Sequence, residues 1–425
     1  MKPRTGTAPL LAVVLALTAF LPAGLFAAAN GGSIYSRYGI GDLRYTLSTR
    51  QLGMGGTGVA VRPTGSVNDL NPALLSKIPT VRFTAAALWE GFKTTDGANS
   101  VFLAGATFNG LAIAIPVDSA RGIAFGAGLV PYSRVNYNVT GPVDQDGFKY
   151  TLTQTGEGGV SKAYAAATVE PFAGMTVAAQ FDFYFGSNRY IMKQEFATTY
   201  AGAEYTRVEH FRGPGATLGL LYDALGKVFG LPEDRGMAVG LTVASTAHPN
   251  TSTERVYDYD AAPSNAPNDT IDGGDAEVRI PVSITGGLSY TARNFLAAAD
   301  FRYQDWTGTT FETTELVTLT KSYRVSAGVE FTRDAGPGVP AARRLSYAFG
   351  AYHDAGYLDV GGERISESGV TAGFSFPIFN ETRLALAGSF AMRGSTDGLL
   401  QEDKIFRISA SMDITEFWFQ RPEEE

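Results

Sequence analysis

His210, His248 and His353 are the only imidazoles in the chain, and there is no cysteine. No pair of these histidines has the short spacing with which helices and turns bring metal ligands together. Serine is abundant, but none is placed in the sequence beside a histidine and an orienting carboxylate, so nucleophilic catalysis has no identifiable constellation. Asp258-Tyr-Asp260 and the run from Asp269 to Asp275 have oxygen ligands for calcium, yet read better as a solvated loop. These residues predict no enzyme, no metal and no cofactor. The remaining chemistry is ionic. Arg302, Arg324 and Arg407 alternate onto the same strand faces as Asp300, Glu330 and Asp413. Such groups, facing an interior, either neutralise one another or leave an arginine for a bidentate contact with the head group of an amphipathic ligand.

The elements that carry those residues are strands. Asn294 to Trp306 sets Phe295, Ala297, Ala299, Phe301 and Tyr303 against Asp300, Arg302, Gln304 and Trp306. Lys321 to Phe331 and Ile405 to Ile414 repeat the pattern, with Tyr323, Val325 and Val329, then Phe406 and Ile408, on the apolar face. A period of two marks strands with unlike faces. The polar face is rich in Gly, Ser and Thr rather than Lys and Glu, which favours apolar side chains toward lipid and polar ones toward a lumen. Fourteen such segments begin near residues 80, 99, 121, 159, 175, 203, 235, 275, 294, 321, 343, 367, 382 and 403. An even number returns both ends to one side, and the edge must close because hydrocarbon cannot satisfy open N–H and C=O groups. Connections near 118–122, 172–174 and 380–383 are tight, whereas those near 138–158, 258–275, 307–320 and 353–368 are long and polar, which puts the N-terminus in the periplasm. The links near 222–236 and 333–343 are longer than that rule prefers.

Composition agrees. The 34 basic and 42 acidic residues leave a net charge of −8, which argues against a nucleic-acid surface. Gly (50 residues) and Phe, Tyr and Trp (27, 20 and 3) are numerous, and only 18% of residues are charged. This is the balance of an all-β, transmembrane antiparallel barrel. The one long apolar run, Leu10 to Leu21, follows Lys2 and Arg4 and precedes Ala27-Ala28-Ala29, so residues 1–29 read as a cleavable export signal. Residues 30–79 do not alternate and are rich in glycine (Gly53, Gly55, Gly56, Gly58), as expected of a plug folded into the lumen, where glycine lets the backbone approach the wall. Residues 80–420 form the barrel and 421–425 an acidic tail.

Leu52-Gly-Met-Gly-Gly-Thr-Gly-Val-Ala60 followed by Asn68-Asp-Leu-Asn-Pro-Ala73 resembles the N-terminal hatch of the FadL/TodX outer-membrane transporters. Asn71, Pro72 and Ala73 match that family's Asn-Pro-Ala motif. Ile280 to Tyr290, Tyr323 to Phe331 and Ile365 to Pro377 are similar to its later strands. The resemblance implies a monomeric fourteen-stranded barrel with a hatch, in contact with outer-membrane lipid. It also implies passive uptake of hydrophobic small molecules, such as long-chain fatty acids or hydrocarbons, with lateral release where the third strand kinks. Here that strand contains Gly126, Gly128 and Pro131, which places the opening between them. Nothing between 138 and 235 matches the family by a motif. The alternative is a FadL-like barrel serving as scaffold or shuttle for a secretion or surface-attachment partner; an open porin, which the hatch disfavours, comes third.

Overall fold

The computed structural model describes residues 29–145, 148–196, 202–259, 269–309, 317–333, 345–379, 382–396 and 400–416. The expected export signal, apart from residue 29, and the expected acidic tail lie outside them. Fourteen antiparallel wall strands close on themselves. They are β1 (Val81–Thr95), β2 (Ser100–Asp118), β3 (Ile123–Pro131 and Ser133–Gln145), β4 (Phe148–Phe172), β5 (Met175–Phe196) and β6 (Ala203–Tyr222). Then follow β7 (Gly236–Ala244 and Asn250–Tyr259), β8 (Asp269–Glu277 and Ser283–Ala292), β9 (Phe295–Asp305), β10 (Lys321–Thr332), β11 (Ser346–Asp354), β12 (Glu367–Phe379), β13 (Thr382–Arg393) and β14 (Glu402–Glu416). β14 pairs with β1 from Glu402↔Thr95 to Glu416↔Val81, which removes the last open edge.

The alternation resolves into two faces. Phe301, Val325, Phe349, Val370 and Ile408 are about half exposed on the outside, while Asp300, Ser326, Glu330, Thr371 and Ser409 point inward and are buried. Ring pairs such as Phe390–Phe406 (5.2 Å between centroids) and Phe295–Phe331 (5.2 Å) bind neighbouring strands on the outer face.

Three strands are broken, and each break sits at a proline. β3 stops at Pro131 and resumes at Ser133; β7 is interrupted before Asn250, at His248-Pro249; β8 is interrupted across Ile280-Pro281. Proline cannot donate to the ladder, so it marks where pairing changes. The first two breaks share one level of the wall, because Pro131 pairs with Ser161, Ser161 with Phe185, Phe185 with Arg212 and Arg212 with Asn250. The third joins them through the isolated Ala247↔Ile280 bridge. Below this level the strands belong to the barrel. Above it the distal parts of β3 to β8 continue as a one-sided wing. The expected long loop at 138–158 is therefore a correction: it is the β3–β4 hairpin of the wing, paired from Val135↔Gly158 to Gln145↔Phe148. Its Thr- and Gly-rich sequence hid the strands.

The loops at the other long-looped positions are not simple polar excursions either. Trp306, Val317, Tyr357, Leu358 and Ile365 are buried in one cluster with Tyr35 and Ile40, and Trp306 stacks on Tyr357 (4.8 Å). Three short strands, Val317–Leu319, Leu358–Val360 and Glu363–Arg364, knit these loops together over the barrel mouth.

Candidate functional site: the occupied lumen and the wall beside β2

The N-terminal segment, residues 29–80, touches strands all round the circumference. Thr49 Oγ1 meets Ser409 of β14 (2.7 Å); Gly55 N–H donates to Thr371 of β12 (2.9 Å); Thr57 donates to Ser326 of β10 (3.0 Å). Ser289 of β8 donates to Ala60 O (2.7 Å), and Asn71 Nδ2 to Leu220 O of β6 (3.0 Å). A segment with partners on so many strands of a closed wall lies inside it.

Its glycine run has a geometric cause. Gly55 (φ +75°) and Gly56 (φ +84°) take a left-handed backbone after the short helix α1 (Thr49–Gly53). A Cβ on Gly55 would stand 2.7 Å from Ala351 O, and one on Gly53 would stand 2.8 Å from the Gly373 Cα, so the segment packs backbone to backbone on β11 and β12. Gly58 and Val59 N–H groups both donate to Asp300 Oδ2 (2.6 and 2.9 Å). The Asn71-Pro72-Ala73 motif is a helix cap. Asn71 Oδ1 accepts from Ala73 N–H (3.0 Å) at the start of a 3-10 helix, Pro72–Lys77, while its Nδ2 ties the turn to Val59 O (2.9 Å) and to the wall.

The three arginines singled out from the sequence are all engaged, in different ways. Arg407 bridges two carboxylates, Glu90 (2.9 Å) and Glu367 (2.6 Å), and also donates to the Tyr352 hydroxyl (2.9 Å). Arg324 pairs with Asp354 (3.3 Å), donates to Gly55 O (3.1 Å) and lies over the rings of Tyr352 (3.9 Å) and Tyr45 (4.6 Å). Arg302 donates to Thr285 (3.2 Å) and faces Tyr45 (5.0 Å), with no ion pair within 4 Å among the described residues. Glu330 belongs to Arg50 of the segment (2.6 and 3.0 Å), and Asp413 accepts from Thr84 (2.7 Å).

Sequence reading missed the hub. Glu90 receives Arg44 of the segment in a bidentate pair, with Arg407 and Arg134 (3.4 Å) beside it. Glu367 passes the chain on to Arg393 (2.9 Å), and Arg393 to Asp42 (2.6 Å), so ion pairs run across the lumen from wall to segment and back. Only the inward parity of Glu90 on β1 was available as a signal. Lys77, with Glu170 (2.7 Å) and Asp223 (3.2 Å), and Arg62, also paired with Asp223, fasten the segment at the tight-turn end.

Two cavities lie beside the segment among the described residues. One, of about 140 Å³, lies toward Asp354, Glu367, Arg393 and Arg407; the other, of about 90 Å³, lies toward Pro131, Tyr132, Lys162 and Arg302. Arg44, Tyr45 and Thr46 line both and form the partition. Burial, and next the neighbouring Asp354, push the Tyr45 hydroxyl well above its ordinary pKa, so it stays neutral.

At Gly126 and Gly128 the wall is intact, paired to Ala114 and Ala112 on one side and to Ala166 and Tyr164 on the other. These glycines make room instead: a Cβ on Gly126 would meet Leu75 at 2.6 Å, and one on Gly128 the Tyr164 ring at 2.6 Å. Of the expected stretch, Gly126 to Leu129 is paired on both sides, while Val130 and Pro131 pair only with β4. The β2–β3 ladder ends at Leu111↔Leu129, and among the described residues no strand pairs with the β2 edge from Gly105 to Gly110. Beyond that stretch the segment itself occupies the edge, with Ala29↔Leu103 and Asn30↔Ala104 in parallel register. Gly31 lies against Leu103, and Gly32 against Asn136 O of distal β3. Pairing places this discontinuity at the level of lipid-facing side chains, since Phe406 is opposite Gly91 and Gly91 opposite Ala104, and Ile408 reaches Ala106 through Trp89.

A closed fourteen-stranded wall with an occupied lumen and a broken second ladder has the fold of the FadL/TodX transporters. Solved structures agree in fold: a Pseudomonas aeruginosa FadL homologue (11% identity, TM-score 0.59, 88% of this chain and 99% of that one) and the Ralstonia pickettii toluene transporter TbuX (15%, 0.58, 87% and 98%). The Pseudomonas putida toluene transporter TodX is similar as well (15% identity, TM-score 0.55, 88% and 99%). No curated protein matches the sequence. The BamG family model matches residues 10–423, and the chain belongs to that family.

Proposed function

We propose that the protein is an outer-membrane barrel that passes hydrophobic small molecules between its lumen and the bilayer through the wall beside β2. The observation that carries this reading is the unpaired Gly105–Gly110 edge at lipid level, with the 140 Å³ cavity reaching Asn109 on that stretch. A lateral exit suits such a cargo, because hydrocarbon prefers the bilayer to water by about 0.8 kcal/mol per CH₂. Cavity size narrows the cargo of the closed form. A space of about 140 Å³ is near the roughly 150 Å³ that accommodates a benzene-sized molecule, so a long acyl chain enters only if the segment shifts. Arg302, which has no ion pair among the described residues, is the group for an acidic or phenolic head. In proteoliposomes the purified barrel should speed equilibration of a small aromatic hydrocarbon across the bilayer over protein-free vesicles. Equal rates for aromatic and fatty-acid probes, with and without protein, would end the proposal.

The second reading, a sealed barrel that holds a protein partner, draws on the ion-pair chain through Glu90 and Glu367 and on the buried mouth cluster around Trp306. Both features oppose movement of the segment. Ready transport would count against this reading, and steady ion conductance would count against both.

A further inference from the structure

Arg302 of β9 and Arg324 of β10 stand directly opposite each other in the ladder. Like charges in that relation repel. Only Arg324 has a counter-charge, Asp354 of β11 (3.3 Å). Arg302 has no ion pair among the described residues, and Asp300 on the same strand face is taken by the Gly58 and Val59 N–H groups (2.6 and 2.9 Å). Both guanidinium groups instead lie over the ring of Tyr45, at 5.0 and 4.6 Å, and Arg324 also covers Tyr352 (3.9 Å). A neutral phenol offers each cation a ring face but no negative charge, so the two arginines and Asp354 stay one anion short. The same ring stands between the two cavities, which both reach Arg44, Tyr45 and Thr46. Its neighbours are fastened: Arg44 N–H donates to Tyr132 O (2.9 Å), the Arg44 guanidinium to Glu90 (2.7 Å) and Thr46 to Asp69 (3.1 Å). The backbone of the partition is thus fixed, and the Tyr45 side chain is the part left to turn between rotamers.

We propose that the Tyr45 ring holds the place of the ring of a ligand, and that this ligand is a monocyclic aromatic acid. The proposal rests on the uptake reading above and names a substrate class for the same lumen. With Tyr45 in place, cavities of about 140 and 90 Å³ do not hold a ring and a carboxylate together, since benzene alone takes roughly 150 Å³. With Tyr45 turned aside the two spaces join. An entering ring then lies over the two guanidinium groups, and its carboxylate meets Arg302 and supplies the missing charge in a planar, bidentate contact. Arg302 is otherwise held only by Thr285 (3.2 Å) on that side. Lys162, 3.5 Å from Asp182, adds a second cation to the smaller cavity. Asp69, the acid lining it, is taken by Leu47 N–H (2.9 Å) and Thr46. Each requirement excludes a class. An alicyclic or acyclic acid forgoes the ring contacts, and a neutral aromatic leaves Arg302 without a counter-ion.

Calorimetric titration of the purified barrel in detergent with benzoate, cyclohexanecarboxylate and benzyl alcohol tests this without calling on transport. Benzoate should bind about fivefold tighter than either of the others. Tyr45→Ala removes the competing ring and should tighten benzoate about tenfold, with a smaller gain for the alicyclic acid. Arg302→Gln should abolish the preference for benzoate over benzyl alcohol. No gain in Tyr45→Ala, an equal gain for the alicyclic acid, or a benzoate preference that survives Arg302→Gln would overturn the proposal. Should Tyr45→Ala lose its fold, the preference in the native chain and its loss in Arg302→Gln decide. The expected binding pattern without hydrocarbon transport in proteoliposomes would keep this site and end the lateral-exit reading; transport without benzoate binding would do the reverse.

Discussion

The wall has two unlike halves. From β9 through β14 to β1 the strands are joined by hairpins, the ladders between them run nearly unshifted, and Phe301, Val325, Phe349, Val370 and Ile408 form a regular lipid face. From β2 to β8 the ladder is interrupted at three prolines on one level, an edge of β2 is left without a strand, and the sheet rises beyond the barrel. The first half behaves as a container. The second half holds the departures from a regular barrel: an unpaired edge on β2, a cavity that reaches Asn109 on that edge, and a wing above it. Part of the interrupted pairing is completed elsewhere, by the N-terminal strand at Leu103 and Ala104 and by the Ala247↔Ile280 bridge, and the Gly105–Gly110 edge is not.

The two halves are joined through the lumen, and the largest expected effect lies there. Glu90 of β1 serves Arg44 of the segment, Arg407 of β14 and Arg134 of β3. Glu90→Gln leaves buried guanidinium groups without their shared charge, so it should cost about 3–5 kcal/mol and loosen the segment. A lower melting temperature together with new single-channel conductance is the expected pair of results.

The lipid face comes next. Phe349→Lys, on the regular half, should destabilise by about 2–4 kcal/mol at mid-bilayer, whereas Thr151→Lys on the outer face of the wing should stay within about 0.5 kcal/mol. Equal effects in urea unfolding from liposomes would erase the distinction between wall and wing. A smaller effect separates two glycines of similar backbone. Gly55→Ala places a Cβ 2.7 Å from Ala351 O, while Gly230→Ala (φ +67°) meets nothing within 4 Å. Both incur the left-handed penalty of about 1–2 kcal/mol, but only Gly55→Ala should also raise proteolysis of the segment.

The smallest effect is a pH response. Burial raises the Asp69 carboxyl above its ordinary value, opposed by hydrogen bonds from Leu47 N–H (2.9 Å) and Thr46 (3.1 Å). A carboxyl whose pKa is raised in the folded state favours that state when protonated. The added stability is complete below the unfolded value of about 3.9 and is lost as pH rises through the raised one. Hydrogen exchange in residues 46–70 should therefore slow as pH falls across that window, after correction for intrinsic exchange, and Asp69→Asn should flatten the response.

Much of the container was legible. Asn294–Trp306 and Lys321–Phe331 announce their faces because lipid and lumen demand opposite side chains on alternate residues. The wing was not, because between Asn138 and Gly158 threonine and glycine stand on both faces and the apolar alternation fades. Trp306 and Tyr357 gave no hint that they seal the mouth, since their partners lie 51 residues apart in sequence and meet only when the barrel closes. The same reason hid Glu90. Nothing local distinguishes it from any inward carboxylate, and its arginines come from positions 44, 134 and 407. The close approach of Gly55 and Gly56 to the wall was visible because glycine marks it locally, whereas Asn71 stood out only through the Asn-Pro-Ala match and its capping role was not read. A break was expected at Gly126–Pro131 because glycine and proline weaken strands; the glycines are paired on both sides, and the β2–β3 ladder ends at Leu129, just before Val130 and Pro131.

The central claim is that cargo crosses the wall where the N-terminal strand lies on β2. A Cβ on Gly31 would stand 3.5 Å from the Leu103 Cβ, within the range of about 3.5–4.5 Å that a disulfide spans, and the chain has no other cysteine to interfere. The measurement is hydrocarbon equilibration into proteoliposomes by the Gly31→Cys/Leu103→Cys variant, oxidised and then reduced. Transport should stop on oxidation and return on reduction. Transport at the same rate in both states would contradict the claim.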